Sequence, residues 1–522
     1  MKRLVSLFTP SENEAGDMRR IWALTVAAAV GTYVLLPIAV PYDGYQYIRY
    51  AFLFTGQPDE TVYWRTPGYP FVMLASGVTL FKSLIGLTVV QFVTSLFVPP
   101  MVYRITLAID RRLAFNTALA SVVSLVPFLY VKCVLTEHAY IFLLVLTIYL
   151  YAGYTAGGRT AQVYLLALAL AYAALLRPSA ILLSLAVLPL TVVFVPRRVL
   201  HSILAAVLIA GILCAWMLVR PSVTGVPGKF SPTGNLTGKA LFANVYMFSK
   251  GRLADMNGPA AGRLKTTLLE YLKTHPDEIR RYGEGFKIEE YRVEHFFGRF
   301  EDDPEGLLRY AFKSPSFAYF PFMWAMMDRA AGPAEADRII LAACVEIIRE
   351  RPGIGLDVLR KNFMYYFLTL PRYATYNVEE DARFPMLGPA LGIMRFEPDL
   401  SAMEGLPERM RREVSFDPAG RLTYVLRRGV DKTWGIVYAS VRPQIAVLAL
   451  IGAIVLFRGR RHRALACGCF LALAYHSLVV IVFSEVETRF INQAILIEII
   501  LAAAGARWLI ERIGVRRQGA PG

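Results

Sequence analysis

Residues 21–70 read IWALTVAAAVGTYVLLPIAVPYDGYQYIRYAFLFTGQPDETVYWRTPGYP, and this stretch decides the kind of fold. Residues 21–40 are predominantly apolar, and about 20 apolar residues in a helix cross the ~30 Å hydrocarbon core of a bilayer. Residues 41–70 then carry acidic and basic side chains among Tyr, Trp and Pro. The stretch predicts a membrane-spanning helix followed by a charged, turn-rich loop at the membrane surface. Because the apolar run is longer than a signal-peptide core and Pro41 follows it, we expect an uncleaved signal anchor.

The composition of the whole chain indicates a membrane protein with many spans. Of the 522 residues, 56% are hydrophobic and 18% are charged, whereas about a quarter of the residues in soluble domains are charged. The five Cys residues are scattered and lie mostly in apolar runs, so they predict neither a disulfide framework nor a metal site. The net charge of +16 does not indicate nucleic-acid binding, because the basic residues sort by membrane side.

Ten segments have the length and hydropathy of a membrane span. They are residues 21–41, 84–109, 113–131, 138–155, 161–176, 179–195, 200–220, 437–457, 464–483 and 490–510. The shorter stretch 68–82 is predicted to be an interfacial helix. With the N-terminus in the cytoplasm, the inside segments hold seventeen Lys and Arg residues and the short outside loops hold six. This bias follows the positive-inside rule and predicts that both termini are cytoplasmic.

The predicted fold class is therefore an all-α polytopic membrane protein with a large, mainly helical extracytoplasmic domain. Residues 1–220 form an N-terminal module of about seven transmembrane helices, whose first outside loop, residues 42–83, is the candidate catalytic loop. Residues 221–435 form the extracytoplasmic domain, which contains runs of helical period. Residues 436–522 form the C-terminal transmembrane helices and a basic cytoplasmic tail.

Ionisable residues from four outside loops lie at the predicted outer ends of the spans. They are Asp43, Arg65, Glu137, Arg177, Glu485, Glu487 and Arg489. For each one alone, solvation at the interface with a snorkelling side chain is a sufficient explanation. Their convergence on one side of the membrane favours a functional site that faces a cavity.

The loop after the first span resembles a known family of enzymes. Asp-Gly-x-x-Tyr at 43–47, a Gly about ten residues later, and Arg-Thr-Pro-Gly-Tyr-Pro at 65–70 resemble the polytopic GT-C glycosyltransferases. The branch that it resembles contains the protein-mannosyltransferase and aminoarabinose-transferase families, in glycosyltransferase family 39. Arg65 stands where this family often has Lys.

Three further segments extend the resemblance over residues 20–220 and 437–510, whereas residues 221–435 contribute little to it. The segments are LTEHAYIFLLVLTIYL at 135–150, LLRPSAILL at 175–183 and ETRFINQAIL at 487–496. Glu137 stands where Asp is common in the family, and Phe490 replaces the usual Tyr.

The resemblance implies an enzyme that moves a sugar, with inversion, from a polyprenyl-phosphate donor to an extracytoplasmic acceptor. The acceptor is a glycolipid such as lipid A, a polysaccharide or a protein, and the location is a bacterial inner membrane. The acceptor needs a general base, and Asp43 is the candidate. Its alternative role is that of an N-cap for a helix over residues 44–54. The leaving phosphate needs a positioned cation, and Arg65, held on a Pro-rich turn, is the first candidate.

The remaining candidates are assigned to substrate binding. Arg489 and Lys132 are the next candidates for the phosphate, and Arg177, Glu487 and Tyr69 complete the set. Glu137 is expected to orient the site or to hold a divalent cation, the one possible cofactor. Alternatively, Glu137 is only an acid in a first helical turn behind a Thr136 cap, and Arg177 only marks the turn between two spans.

Two other functions remain open at this point. An O-antigen ligase or polymerase also has many spans and a large outside loop, although it uses diphosphate-linked donors. A polytopic lipid or solute transporter is of a different class, and it favours broken helices and charges near mid-membrane. The partners expected for the leading function are the donor lipid, the acceptor and the membrane, without nucleic acid.

Overall fold

The computed structural model describes most of the chain. The described residues are 13–40, 42–56, 65–177, 180–224, 237–249, 258–280, 300, 302–313, 319–367, 406–415, 441–459, 462–483 and 488–518. Within these ranges every regular element of more than one residue is helical, and the one strand-like feature is an isolated parallel bridge between Ala39 and Cys133.

The helices are numbered in chain order. The N-terminal part contains α1 (Glu14–Leu35), α2 (Tyr42–Leu53), α3 (Gly68–Ala75), α4 (Val78–Phe81), α5 (Ile85–Ile109), α6 (Arg111–Val123), α7 (Val126–Leu129), α8 (Thr136–Thr155), α9 (Ala161–Leu176), α10 (Ala180–Phe194) and α11 (Val199–Thr224). The middle of the chain contains α12 (Thr237–Phe248), α13 (Pro259–Thr274), α14 (Pro304–Lys313), α15 (Tyr319–Ala331), α16 (Pro333–Glu350), α17 (Pro352–Phe367) and α18 (Glu408–Ser415). The C-terminal part contains α19 (Val441–Arg458), α20 (Arg463–Phe483) and α21 (Thr488–Gln518).

The chain is an all-α membrane protein. Among the described residues, seven helical segments are long and apolar enough to cross a membrane: α5, the segment Arg111–Leu129, α8, the segment Pro196–Val223, α19, α20 and the segment Asn492–Ile513 of α21. The apolar helices α9 and α10 are shorter, with 16 and 15 residues. The expected count of ten spans stays a prediction.

The first helix ends earlier than its apolar sequence indicates. The predicted span 21–41 runs to the end of the apolar stretch, whereas α1 stops at Leu35 and Leu36 is extended. Pro37 follows, and the residue before a proline is driven out of the helical region. Residues 38–40 instead run beside the loop before α8, because Ala39 donates to the carbonyl of Lys132 and accepts from the amide of Val134.

The predicted interfacial helix 68–82 is two helices. It is interrupted at residues 76–77, where Gly77 adopts a φ of 76°, a conformation that glycine tolerates without steric cost. Both helices lie within the predicted range, and their interfacial position stays a prediction.

The structure contains two large clusters of buried apolar side chains. One joins α2, α3 and α5 to helices from α8 to α11 and to α19, α20 and α21, and we call these helices the membrane module. The other is built from α12 to α17, which we call the insert domain. Lys239 is buried inside the insert domain, where its Nζ lies 2.5 Å from Asp328 Oδ2. The boundaries predicted for the three parts of the chain stay predictions.

The short helix α18 packs on the membrane module. Leu406, Met410 and Val414 form its apolar side and belong to the cluster of the module. Glu413 accepts hydrogen bonds from the Ser83 hydroxyl at 2.6 Å and from the Leu84 amide at 2.7 Å. It therefore satisfies donors at the start of α5 that have no partner within that helix.

Candidate active site

The candidate site is built on an ion pair between Asp43 and Arg65. Asp43 lies in the first turn of α2, and Arg65 lies three residues before α3. The guanidinium Nη2 donates to Asp43 Oδ1, and Nε donates to Gln46 Oε1 at 2.8 Å. Gln46 follows Asp43 by three positions, so both side chains lie on the same face of α2. The helix thus presents two acceptors to one guanidinium.

The Pro-rich corner that follows Arg65 is fixed against the end of α9. The Thr66 hydroxyl donates to the carbonyl of Leu176 at 2.9 Å. The Tyr172 hydroxyl donates to the carbonyl of Gly68 at 2.7 Å. Pro67 has a set φ and no amide proton, which further restricts the turn. Arg65 is therefore attached to a rigid corner and not to a freely moving loop.

Asp43 is positioned by a close approach of two backbones. A Cβ added to Gly44 would lie 2.2 Å from the carbonyl oxygen of Val134. Only glycine allows the first turn of α2 to pack this closely on the strand-like loop before α8. The same loop is tied to Ala39 by the two backbone hydrogen bonds of the bridge.

A second ion pair joins the start of α8, directly after this loop, to the end of α9. Arg177 Nη2 donates to Glu137 Oε1 at 2.7 Å and to the Thr136 hydroxyl at 3.0 Å. The Glu137 side chain is only 1% exposed, and that of Arg177 is 17% exposed. Glu137 lies in the first turn of α8, as expected, but Leu135 is the N-cap and Thr136 does not cap the helix. Thr136 instead helps to hold Arg177.

Both ion pairs act electrostatically on Tyr47. The Arg65 guanidinium lies over the Tyr47 ring, with its Cζ 5.0 Å from the ring centroid. Burial raises the pKa of Tyr47; Arg65 and Arg177 lower it, and Asp43 and Glu137 raise it. All four charged groups therefore influence the pKa of the same phenol, and the net rise keeps Tyr47 neutral.

Tyr69 supports the Tyr47 side chain. Its ring packs against that of Tyr47, with centroids 5.3 Å apart, and its hydroxyl donates to Gln91 Oε1 at 2.9 Å. Gln91 in turn donates to the carbonyl of Val131 at 2.9 Å. Tyr69 itself is fully buried, which suits a support for the site, and its assignment to substrate binding stays a prediction.

The two carboxylates differ in access to solvent. The Asp43 side chain is 30% exposed, whereas Glu137 is almost completely enclosed. A carboxylate that meets an incoming acceptor must be accessible, so Asp43 is suited to proton transfer. Glu137 is suited to fixing Arg177.

No match to this chain was found among protein-family models, curated proteins or solved structures. The assignment of a function therefore depends on the geometry and on the motifs.

The other candidates from the sequence have different positions. Lys132 lies over the ring of Tyr33 in α1, with its Nζ 4.5 Å from the centroid. Glu487 lies outside the described residues, and for Arg489 the described structure covers the backbone of α21 and not the side chain. The substrate-binding roles of these three residues stay predictions.

A divalent cation at Glu137 also stays a prediction. In the part of the chain that the structure describes, no three His, Cys, Asp or Glu side chains are grouped as metal ligands. One oxygen of Glu137 is already bound by Arg177, which favours the orienting role of this carboxylate over the metal-binding one.

The sequence alone assigns no role to Gln46 or to Tyr47, the Tyr of the motif at 43–47, and it does not predict the buried ion pair between Arg442 and Glu498. Asp43 and Gln46 are three positions apart, a spacing that places two side chains on the same face of a helix, so this spacing indicates that Gln46 lies beside Asp43. The missed pair joins Arg442 of α19 to Glu498 of α21, and both side chains are 0% exposed.

Proposed function

We propose that this protein is an integral membrane glycosyltransferase that transfers a sugar from a polyprenyl-phosphate donor to an acceptor on the outer side of the membrane. The observation that carries the proposal is the ion pair at the head of α2 between Asp43, whose side chain is 30% exposed, and Arg65, whose side chain is 12% exposed. It combines a candidate base with a candidate phosphate-binding cation on a fixed corner. The motif resemblance supports the same reaction.

In this mechanism Arg65 exchanges partners when the donor binds. Its guanidinium moves part of its hydrogen bonding from Asp43 to the phosphate, because a guanidinium binds phosphate oxygens in a bidentate manner. Asp43 then becomes free to accept a proton. Gln46 remains as the acceptor that keeps Arg65 in place.

The chemical step is a single displacement. The acceptor hydroxyl or amine attacks the anomeric carbon, its proton passes to Asp43, and the bond between that carbon and the phosphate oxygen breaks. Polyprenyl phosphate leaves with one more negative charge, which Arg65 stabilises. Attack from the face opposite the phosphate inverts the anomeric configuration.

The direct test is turnover by the purified protein in lipid nanodiscs. A panel of polyprenyl-phosphate sugars is supplied with glycolipid, polysaccharide or peptide acceptors, and products are identified by mass. Comparison of envelope lipids and glycans from cells with and without the gene narrows the panel. Transfer by the wild type supports the proposed function, and its absence contradicts it. Loss of transfer in a folded Asp43→Asn variant supports Asp43 as the base, whereas transfer at the wild-type rate in this variant contradicts that role alone.

A transporter remains the second candidate because of one observation. Arg442 and Glu498 form a fully buried ion pair between helices that are long and apolar enough to cross a membrane, and ionisable pairs in such helices often mark transport paths. The same nanodisc assay discriminates, since a transporter forms no sugar product. Movement of a labelled donor lipid across vesicle membranes, without any transfer, would favour this alternative.

A further inference from the structure

The Arg442–Glu498 pair lies outside the candidate active site, and no step of the proposed mechanism uses it. Arg442 Nη2 donates to Glu498 Oε1 at 2.7 Å, and Nη1 contacts Oε2 of the same carboxylate. A buried pair is expensive to desolvate and often adds little stability over an apolar replacement. A role other than stability is therefore worth testing.

Arg442 also binds the insert domain. Its Nη2 donates to the main-chain carbonyl of Tyr366 at 3.1 Å. Tyr366 lies in the last turn of α17, where carbonyl groups have no partner within the helix and carry partial negative charge. The guanidinium also faces the Tyr366 ring, with its Cζ 5.8 Å from the centroid. One buried arginine thus caps the C-terminal end of an insert-domain helix.

A line of ring contacts connects this cap to the candidate active site. The Tyr366 ring lies 6.4 Å from that of His476, and the His476 ring lies 5.9 Å from that of Tyr140, centroid to centroid. Arg177, the partner of Glu137, lies over the Tyr140 ring at 5.4 Å. The two buried Arg–Glu pairs therefore lie at opposite ends of one row of three rings.

Neighbouring contacts place α17 on the end of α20. Asn362 donates to the carbonyl of Ile481 at 2.8 Å and to the side-chain oxygen of Asn244 at 3.2 Å. Asn244 of α12 donates in turn to the carbonyl of Val482 at 3.3 Å. The insert domain is thus hydrogen-bonded to the helix that carries His476.

We propose that Arg442 and Glu498 are positioning residues: they fasten the end of α17 to the membrane module and, through the Tyr366–His476–Tyr140 row, hold Arg177 in place at the candidate site. The docking part of this inference is independent of the reaction. The effect on turnover rests on the proposed function.

The test uses the whole protein in nanodiscs and the double variant Arg442→Met/Glu498→Leu. The apolar pair keeps the volume and removes both charges together, so neither charge is left buried without its partner. Amide hydrogen exchange is measured by peptide, and the controls are wild type and Arg507→Met, which alters the far end of α21. If the double variant does not fold, Arg442→Lys takes its place, since Lys keeps the charge but loses the bidentate geometry.

We expect exchange in 360–367 and 478–483 to rise by about tenfold, the effect of losing one or two hydrogen bonds that restrain local opening. Exchange in 259–274, within the core of the insert domain, should stay at the wild-type rate. Unchanged exchange in 360–367 would overturn the docking role. A rise that includes 259–274 to the same extent would also overturn it, because the pair would then serve general stability.

The kinetics of sugar transfer provide a second test. In the double variant kcat should fall by about tenfold with little change in KM for the donor, since Arg65 and Asp43 are untouched. If the wild type shows no transfer, the proposed function fails while the exchange experiment still decides the docking role. Full kcat together with loosened 360–367 would contradict the positioning of Arg177.

Discussion

The guanidinium of Arg65 is shared between Asp43 and Gln46, although Arg65 lies 22 positions after Asp43 in the chain. The sharing places a carboxylate and a cation side by side at a corner that α9 holds rigidly. The Gln46 acceptor is neutral, so it leaves the positive charge of Arg65 available to a phosphate. Its hydrogen bond also keeps the guanidinium in the site when the phosphate binds.

The first prediction concerns Asp43. We expect Asp43→Asn to lower kcat by at least about 10²-fold, the smaller end of general-base assistance. Asn has the same size and can still accept from Arg65, so expression and thermal midpoint should match wild type. A matched control is Asp303→Asn, at an exposed hydrogen-bond acceptor for Gly306 in the insert domain. Wild-type turnover in a folded Asp43→Asn protein would exclude the base assignment.

The second prediction concerns the cation. Arg65→Ala should abolish turnover through the loss of donor-phosphate contacts, and Arg65→Lys should retain a fraction because an ammonium supplies charge but not the planar fork. The measurement is KM for the donor together with kcat. Ordinary donor affinity and full activity in Arg65→Ala would transfer the phosphate role to Arg489 or Lys132.

Much of the fold follows from local features of the sequence. The lengths of the apolar runs account for helices near every predicted span, and the acidic and basic ends account for the gathering of Asp43, Arg65, Glu137 and Arg177. The end of α1 at Leu35 was missed because the apolar run continues past Pro37, and the backbone effect of that proline outweighs hydropathy.

The features that the sequence does not predict depend on contacts between residues far apart in the chain. Glu498 is a single acid within the apolar run ILIEIILAAAG, and Arg442 stands at the start of an apolar segment, where interfacial solvation is a sufficient explanation. Nothing in either local sequence indicates a partner 56 positions away. The alternative interpretation of Glu137 makes Thr136 a helix cap, but the Thr136 hydroxyl accepts hydrogen bonds from Arg177 instead.

The third prediction concerns stability. Glu137→Ala should lower the free energy of unfolding by about 3 kcal/mol, the lower end for breaking a buried pair, since Arg177 keeps some contact with water. Glu137→Gln retains an acceptor and should lose less. The comparison is Glu305→Ala, which breaks the exposed Glu305–Arg309 pair and should cost under about 1 kcal/mol. Thermal midpoints in detergent measure both, and equal shifts would contradict the buried role of Glu137.

The fourth prediction concerns orientation in the membrane. Single cysteines at positions 300 and 460, in a chain whose five native cysteines are replaced, should differ in their reaction with an impermeant maleimide. The positive-inside bias predicts labelling of position 300 from outside the cell and of position 460 only after the membrane is opened. Labelling of position 300 only after opening would reverse the orientation and remove the site from the outer side.

The last prediction tests the close contact that positions Asp43. Gly44→Ala adds a Cβ that meets the Val134 carbonyl at 2.2 Å, so α2 must shift away from the loop before α8. We expect kcat to fall by about tenfold or more, because displacements on the order of 1 Å at a reacting group carry penalties of this size. Gly31→Ala is the matched control, since it too lies inside a helix but its added Cβ meets nothing within 4 Å. Ala favours the helix more than Gly does, so Gly31→Ala should leave activity unchanged and the thermal midpoint equal or slightly raised. Equal activity in the two variants would show that the contact between Gly44 and Val134 does not set the position of the base.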